Sequence, residues 1–119
     1  NAALGVAQLE QLPDFLESKR ALAMRYVEAF ADVSNVRFIT EPEQCRSNYW
    51  LNALLLDRGD EEALEPILKA TNDAGLMTRP AWTPMHQLPM FSDTPRMDLS
   101  VAESLAQRLI NIPSSVGLF

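Results

Sequence analysis

The residues best equipped for chemistry in this 119-residue chain gather in one segment, Arg79 to Ser115. It holds Arg79, Trp82, His86 and Arg96 among five prolines, Pro80, Pro84, Pro89, Pro95 and Pro113. His86 is the sole histidine. A neutral imidazole exchanges hydrogen bonds with hydroxyl groups, and a protonated one meets phosphate charge. In its proline-flanked loop, His86 reads either as a ligand contact or as a side chain in water. Arg79 can grip a diphosphate or carboxylate through paired N–H groups, or pair with one of the sixteen acidic residues. Trp82 can stack on a sugar or nucleobase, or plug a domain or subunit boundary. Arg96 reads as a surface residue.

Other reactive groups are sparse. Lys19 and Lys69 are the only lysines, both in helical sequence. A desolvated lysine can act as a nucleophile, but the helical setting favours solvated ones. The four glycines, at 5, 59, 75 and 117, make no phosphate-cradling loop. Cys45 is the single cysteine, which excludes an internal disulfide and fits a reducing compartment. Glu61, Glu62 and Glu65 look like a solvated acidic helix start, too poor in histidine for a metal site. Ser114 and Ser115 lack an adjacent base. Asn48, Tyr49 and Trp50 read as strand residues, two of the three facing a core.

A net charge of −6 and an isoelectric point near 4.6 argue against nucleic-acid or anionic-membrane binding, which needs clustered Lys and Arg. No stretch approaches the about 18 apolar residues of a membrane span. Hydrophobic residues at 47% are enough for one domain with a core, and the expected location is cytoplasmic.

The elements that must position these groups follow from periodicity. Residues 2–11 predict a helix ending before Pro13, which can open a second helix reaching Phe30. Phe15, Leu16, Leu22, Ala23, Tyr26, Val27 and Phe30 give that second helix one apolar face, with Glu17, Arg20, Arg25 and Glu28 mainly opposite. Residues 35–40 and 47–56 read as strands, the second apolar on both faces near its end and therefore central. Asp60 is a candidate cap, and Pro66 opens a helix ending at Gly75. Residues 76–79 read as a third strand, so strand, helix and strand form a βαβ-type unit. Asp98 or Ser100 can cap a last helix over 101–109, Ser100 in a capping-box arrangement with Glu103. The fold class is a compact α+β domain, residues 1–119 as one unit.

Three stretches carry a family resemblance. NAALGVAQLEQL is similar to the helix that follows the catalytic domain's last active-site loop in the DegT/StrS family of sugar aminotransferases. ATNDAGLMTRPAWTPMHQLPMF resembles that family's helix, glycine turn, strand and histidine-bearing proline loop. MDLSVAESLAQRLINIPSS resembles its closing helix and short proline-containing strand. The middle stretch is most typical of the subgroup making legionaminic acid and perosamine.

The resemblance implies the small C-terminal domain of an aspartate-aminotransferase-like, fold type I enzyme, with long N-terminal helices on a small sheet. It implies pyridoxal phosphate (PLP) held by a large domain and dimers with active sites at the subunit interface. The implied reaction moves an amino group to a nucleotide-linked keto sugar for surface polysaccharides. His86, Arg79 and Trp82 become substrate contacts. Neither lysine has the glycine- and threonine-rich surroundings of the family's catalytic lysine, so no cofactor and no activity are expected of these residues alone. The start at Asn1, without methionine, agrees with a C-terminal piece of a longer aminotransferase. A free-standing α+β interaction or small-ligand-binding module, and a degenerate relative with a regulatory role, are the competing readings.

Overall fold

A computed structural model describes residues 1–117. The chain opens with one long helix, α1 (Ala2–Phe30), followed by strands β1 (Val36–Phe38) and β2 (Asn52–Leu56). Helix α2 (Leu64–Asp73), strand β3 (Arg79–Pro80), helix α3 (Ser100–Ala106) and strand β4 (Leu109–Ile112) complete it. The sheet order is β1-β2-β4-β3, with every neighbouring pair antiparallel. β2 and β3 therefore run the same way with β4 inserted between them. The expected β–α–β unit takes this split form because the last strand fills the gap its crossover leaves, and its second strand is Arg79–Pro80 rather than residues 76–79.

The core lies between the second half of α1, α2 and the sheet. Ala23, Phe38, Leu54, Leu56, Leu68, Ile110 and Ile112 are buried together, with Tyr26, Val27, Phe30, Leu64 and Ile67 packed on them. β2 is buried at four of its five positions, as its two-sided apolar sequence predicts for a strand flanked on both edges. Tyr26, Phe38 and Tyr49 stack at centroid spacings of 5.9 and 6.4 Å, joining α1 to the sheet.

Four expectations on the elements are corrected. Pro13 does not divide the first helix; it lies inside α1. Residues 1–14 are exposed, so water can satisfy the carbonyl that Pro13 leaves unpaired. Pro66 does not open α2 but sits in its first turn, where backbone N–H groups have no helical acceptor. Residues 47–51 are irregular rather than strand, ending in a bend at 50–51, with Tyr49 at φ +46°. Of the trio there, only Tyr49 is buried; Asn48 and Trp50 are exposed. The last helix ends at Ala106, and Leu109 begins β4.

One cap differs: Asp60 makes no side-chain cap, and instead the Gly59 N–H donates to Glu61. Of the two candidates at the last helix, Asp98 is the one engaged, accepting from the Ser100 N–H and Oγ, and the Ser100–Glu103 capping box is not formed. Gly75 closes α2 as expected, at φ +81°. Its N–H reaches the Asn72 carbonyl and the Leu76 N–H reaches that of Thr71, a Schellman pair that satisfies the helix end.

Candidate functional site

Arg79 stands where α2 hands over to the sheet edge. Thr78 just before it is buried, and its hydroxyl meets the Thr71 hydroxyl at 2.5 Å. Asn72 Nδ2 donates to the Thr78 carbonyl at 3.0 Å. Pinning Thr78 inward turns Arg79 outward, since neighbouring strand residues point to opposite faces. Arg79 pairs in the ladder with Asn111, whose amide also donates to the Pro80 carbonyl. Its guanidinium is exposed and has no side-chain partner among the described residues, so the salt-bridge alternative is not realised.

Trp82 is 78% exposed and makes a tilted ring contact with Trp50, centroids 6.4 Å apart. Trp50, expected as a strand residue, is instead carried outward by a bend that the preceding residues encode. The Tyr49 N–H donates to Ser47 Oγ and the Trp50 N–H donates to Asn48 Oδ1, both at 3.0 Å. Such short polar side chains draw the backbone out of a strand.

His86 lies elsewhere. It occupies a one-turn helix, Met85–Gln87, and its side chain is only 12% exposed. Nε2 sits 2.8 Å from Glu103 Oε1, tying the proline loop to α3, and Arg96 donates to the His86 carbonyl at 3.4 Å. His86 is therefore not a loop side chain in water. Its hollow, lined by Pro84, Met85, Phe91, Thr94, Leu99 and Ala102, shares no lining residue with the groove beside Arg79. The structure thus places Arg79 and Trp50 on one groove, with Trp82 touching Trp50 at its side, and sets His86 apart.

That groove, of about 680 Å³, runs between α1, the start of β3 and the chain leaving β4. Lys19 is part of it rather than a solvated helical lysine. Its ammonium donates to the Trp50 carbonyl at 3.3 Å and to the Ser114 carbonyl, and partial burial lowers its pKa. One turn pair further along α1, Tyr26 donates to the Pro113 carbonyl at 3.0 Å. Ser114 Oγ accepts from the Asn52 N–H and donates to Ile112, a structural role.

A second cluster supports the turn that carries Trp50. Arg20 and Glu41 pair through two N–H···O contacts of 3.0 and 2.6 Å. Arg20 also donates to the Ser47 carbonyl, and Glu41 accepts from the Ser47 N–H at 2.6 Å. The guanidinium lies 5.5 Å from the Tyr49 ring centre. These hydrogen bonds hold the Glu41 carboxyl down at a pKa of about 2 against the opposing effect of burial, and they raise that of Arg20. Arg20 therefore does not belong to the solvent face that helical periodicity gave it.

The lysines do not fit PLP. Lys19 is engaged by two backbone carbonyls, and Lys69 pairs with Asp73 at 2.5 Å on the surface of α2. Among the described residues no His, Cys, Asp and Glu cluster could hold a metal, and no helix is long and apolar enough to cross a membrane.

EpsN of Bacillus subtilis (strain 168), assigned as a pyridoxal phosphate-dependent aminotransferase, is 36% identical over 98% of the chain. GDP-perosamine synthase of Escherichia coli O157:H7 is 34% identical over 98%. The chain spans 31% of the length of each. The structure of Helicobacter pylori PseC, an aminotransferase of pseudoaminic acid biosynthesis, superposes with a TM-score of 0.89 at 20% identity. That match covers 98% of this chain and 32% of PseC. The α+β arrangement is thus that of the matching third of fold type I sugar aminotransferases. The sequence profile of the DegT/DnrJ/EryC1/StrS aminotransferase family matches residues 1–119, and the chain belongs to that family.

Proposed function

We propose that this chain is the small C-terminal domain of a PLP-dependent aminotransferase acting on a nucleotide-linked keto sugar. The enzyme would be cytoplasmic and dimeric, and would serve amino-sugar synthesis for surface polysaccharides, in the perosamine- and legionaminic-type subgroup. The observation that carries the reading is surface. The chain exposes 8910 Å², whereas a folded monomer of its mass exposes about 6,500 Å². Its radius of gyration is 17.0 Å, against about 13.5 Å for a compact domain of this length. A family match along the full chain together with this uncovered area supports a domain built to pack on more protein. The names of GDP-perosamine synthase and PseC support an amino-sugar product.

In this reading the cofactor is held by the remainder of the enzyme, since neither lysine here fits it. PLP supplies the electron sink for amino transfer when bound. This chain's residues orient the substrate and exclude water. Arg79 offers a bidentate donor to the diphosphate, and Trp82 offers a stacking face. His86 keeps Nε2 on Glu103 and has Nδ1 for a sugar hydroxyl.

The test is the protein translated from the whole reading frame that contains this chain. It should bind PLP and catalyse glutamate-dependent amination of a nucleotide-linked keto sugar. Arg79→Gln should raise KM for the sugar nucleotide about tenfold or more, as expected for loss of a charge-assisted hydrogen bond worth about 1.5–3 kcal/mol. A full-length product that binds no PLP and aminates no sugar nucleotide ends the proposal.

A further inference from the structure

We infer that the groove bounded by Lys19, Trp50 and Arg79 is the subsite for the nucleoside diphosphate part of the substrate, with Trp50 as the base-stacking residue. The inference rests on the nucleotide-sugar reading above and identifies the part of the molecule that serves it.

Charge is the first support. The chain carries a net charge of −6, yet the ionisable residues lining this groove, apart from the Tyr26 phenol, are Lys19 and Arg79. No carboxylate is among the described lining residues. An acidic chain that keeps two cations together in one concavity is complementary to an anion. Arg79 has no side-chain partner among the described residues and can meet it with paired N–H groups. Lys19 gives two of its three donors to the Trp50 and Ser114 carbonyls, and the third has no partner among the described residues.

The second support is aromatic. Trp50 is 65% exposed and Trp82 78% exposed, and the two rings touch. Their exposure is built into the chain rather than left over. Asn48 holds the Trp50 N–H, Lys19 holds its carbonyl, and Tyr49 before it is buried in a left-handed conformation. That conformation is unfavourable for a bulky residue and is maintained here by Ser47, Arg20 and Glu41 around it. An indole carried on a hydrogen-bonded bend beside two cations combines a stacking face with phosphate donors, which is the requirement of a nucleotide. At about 680 Å³ the groove also falls within the about 300–1,000 Å³ of small-molecule sites.

The experiment is calorimetric titration of the full-length protein with GDP, UDP, inorganic diphosphate and PLP as separate titrants. Trp50→Leu should weaken GDP or UDP binding about tenfold or more, the size of a lost base-stacking contact, and leave inorganic diphosphate within twofold. Arg79→Gln should weaken the nucleotides and the inorganic diphosphate alike. Trp50→Phe should recover most of the nucleotide affinity, and its thermal melt controls for folding. The inference is overturned if Trp50→Leu leaves both nucleotides within twofold of wild type, as it would were Trp50 covered by protein. It is equally overturned if the loss appears for PLP instead. Amination assayed on the same proteins separates the two claims. Normal amination with an unchanged KM in Trp50→Leu removes the subsite alone, and Trp50-dependent nucleotide binding without amination removes the aminotransferase reading alone.

Discussion

Glu41 shows how one carboxylate controls residues it does not neighbour in sequence. It takes two contacts from Arg20 and one from the Ser47 N–H, and the side chains of the pair are only 30% and 22% exposed. Its pKa falls from 4.5 to about 2. A folded-state value below the unfolded one means the group stabilises the fold fully above pH 4.5. That contribution is lost as pH falls from 4.5 through about 2. Glu41→Gln is therefore expected to melt at a lower temperature than wild type at pH 7. The gap should shrink between pH 4.5 and 2, where wild type loses what the variant already lacks. Thermal melts across that range check it, and parallel curves would remove Glu41 as the acid-sensitive group. The turn carrying Trp50 should loosen with it, because Arg20 and Ser47 lose a common acceptor.

At the scale of elements, Pro13 separates two unlike halves of α1. The second half is anchored by Ala23, Tyr26, Val27 and Phe30 on the core and by Lys19 and Tyr26 on the exit from β4. The first half, Ala2 to Leu12, is exposed throughout. It is shorter than the about 12–15 residues at which an isolated helix becomes stable in water. A proline in a helix interior costs about 3 kcal/mol relative to alanine. Pro13→Ala should slow amide hydrogen exchange over residues 6–12 about tenfold or more while the core amides stay as they were. Equal exchange in both proteins would mean the first half is held by something other than its own helical bonds.

The same comparison shows what local sequence conveys. The apolar face of α1 beyond Pro13, the central place of β2 and the glycine turn at Gly75 were legible, because each rests on periodicity or on one residue's backbone preference. Pro13 misled because its helix-breaking cost is outweighed by propagation from an anchored half. Trp50 was misread because Ser47 and Asn48 bond back to the chain and end the strand pattern early. At β4 the helical pattern runs one residue into the strand, to Leu109, and the alternation of Ile110 and Ile112 is too short to show a strand by itself, so the short strand there came from the family resemblance. Lys19 and Arg20 were assigned to water because their partners, Ser114 and Glu41, are distant in sequence and close only in the fold. Of the candidate site, Arg79 and Trp82 emerged together, while the partner that joins them, Trp50, required the sheet to be assembled.

The whole molecule carries about 2,400 Å² more surface than its mass warrants, comparable to one side of a large obligate interface. Much of it is apolar: Leu4, Val6 and Leu9 on the arm of α1, and Met85, Met90 and Met97 in the proline loop. Exposed patches of this kind drive association when their natural cover is missing. A net charge of −6 opposes this through repulsion, but that repulsion is screened within about 10 Å at 0.1 M salt. The 119-residue chain on its own should therefore sediment as species heavier than 13.3 kDa, and more so as salt is raised. Replacing Leu4, Val6 and Leu9 by glutamine should shift the distribution toward monomer without unfolding the sheet, because these side chains do not touch the core. A chain that stays monomeric at high salt and melts cooperatively would mean that the exposed area needs no cover. The free-standing module would then account for the molecule better than the enzyme domain.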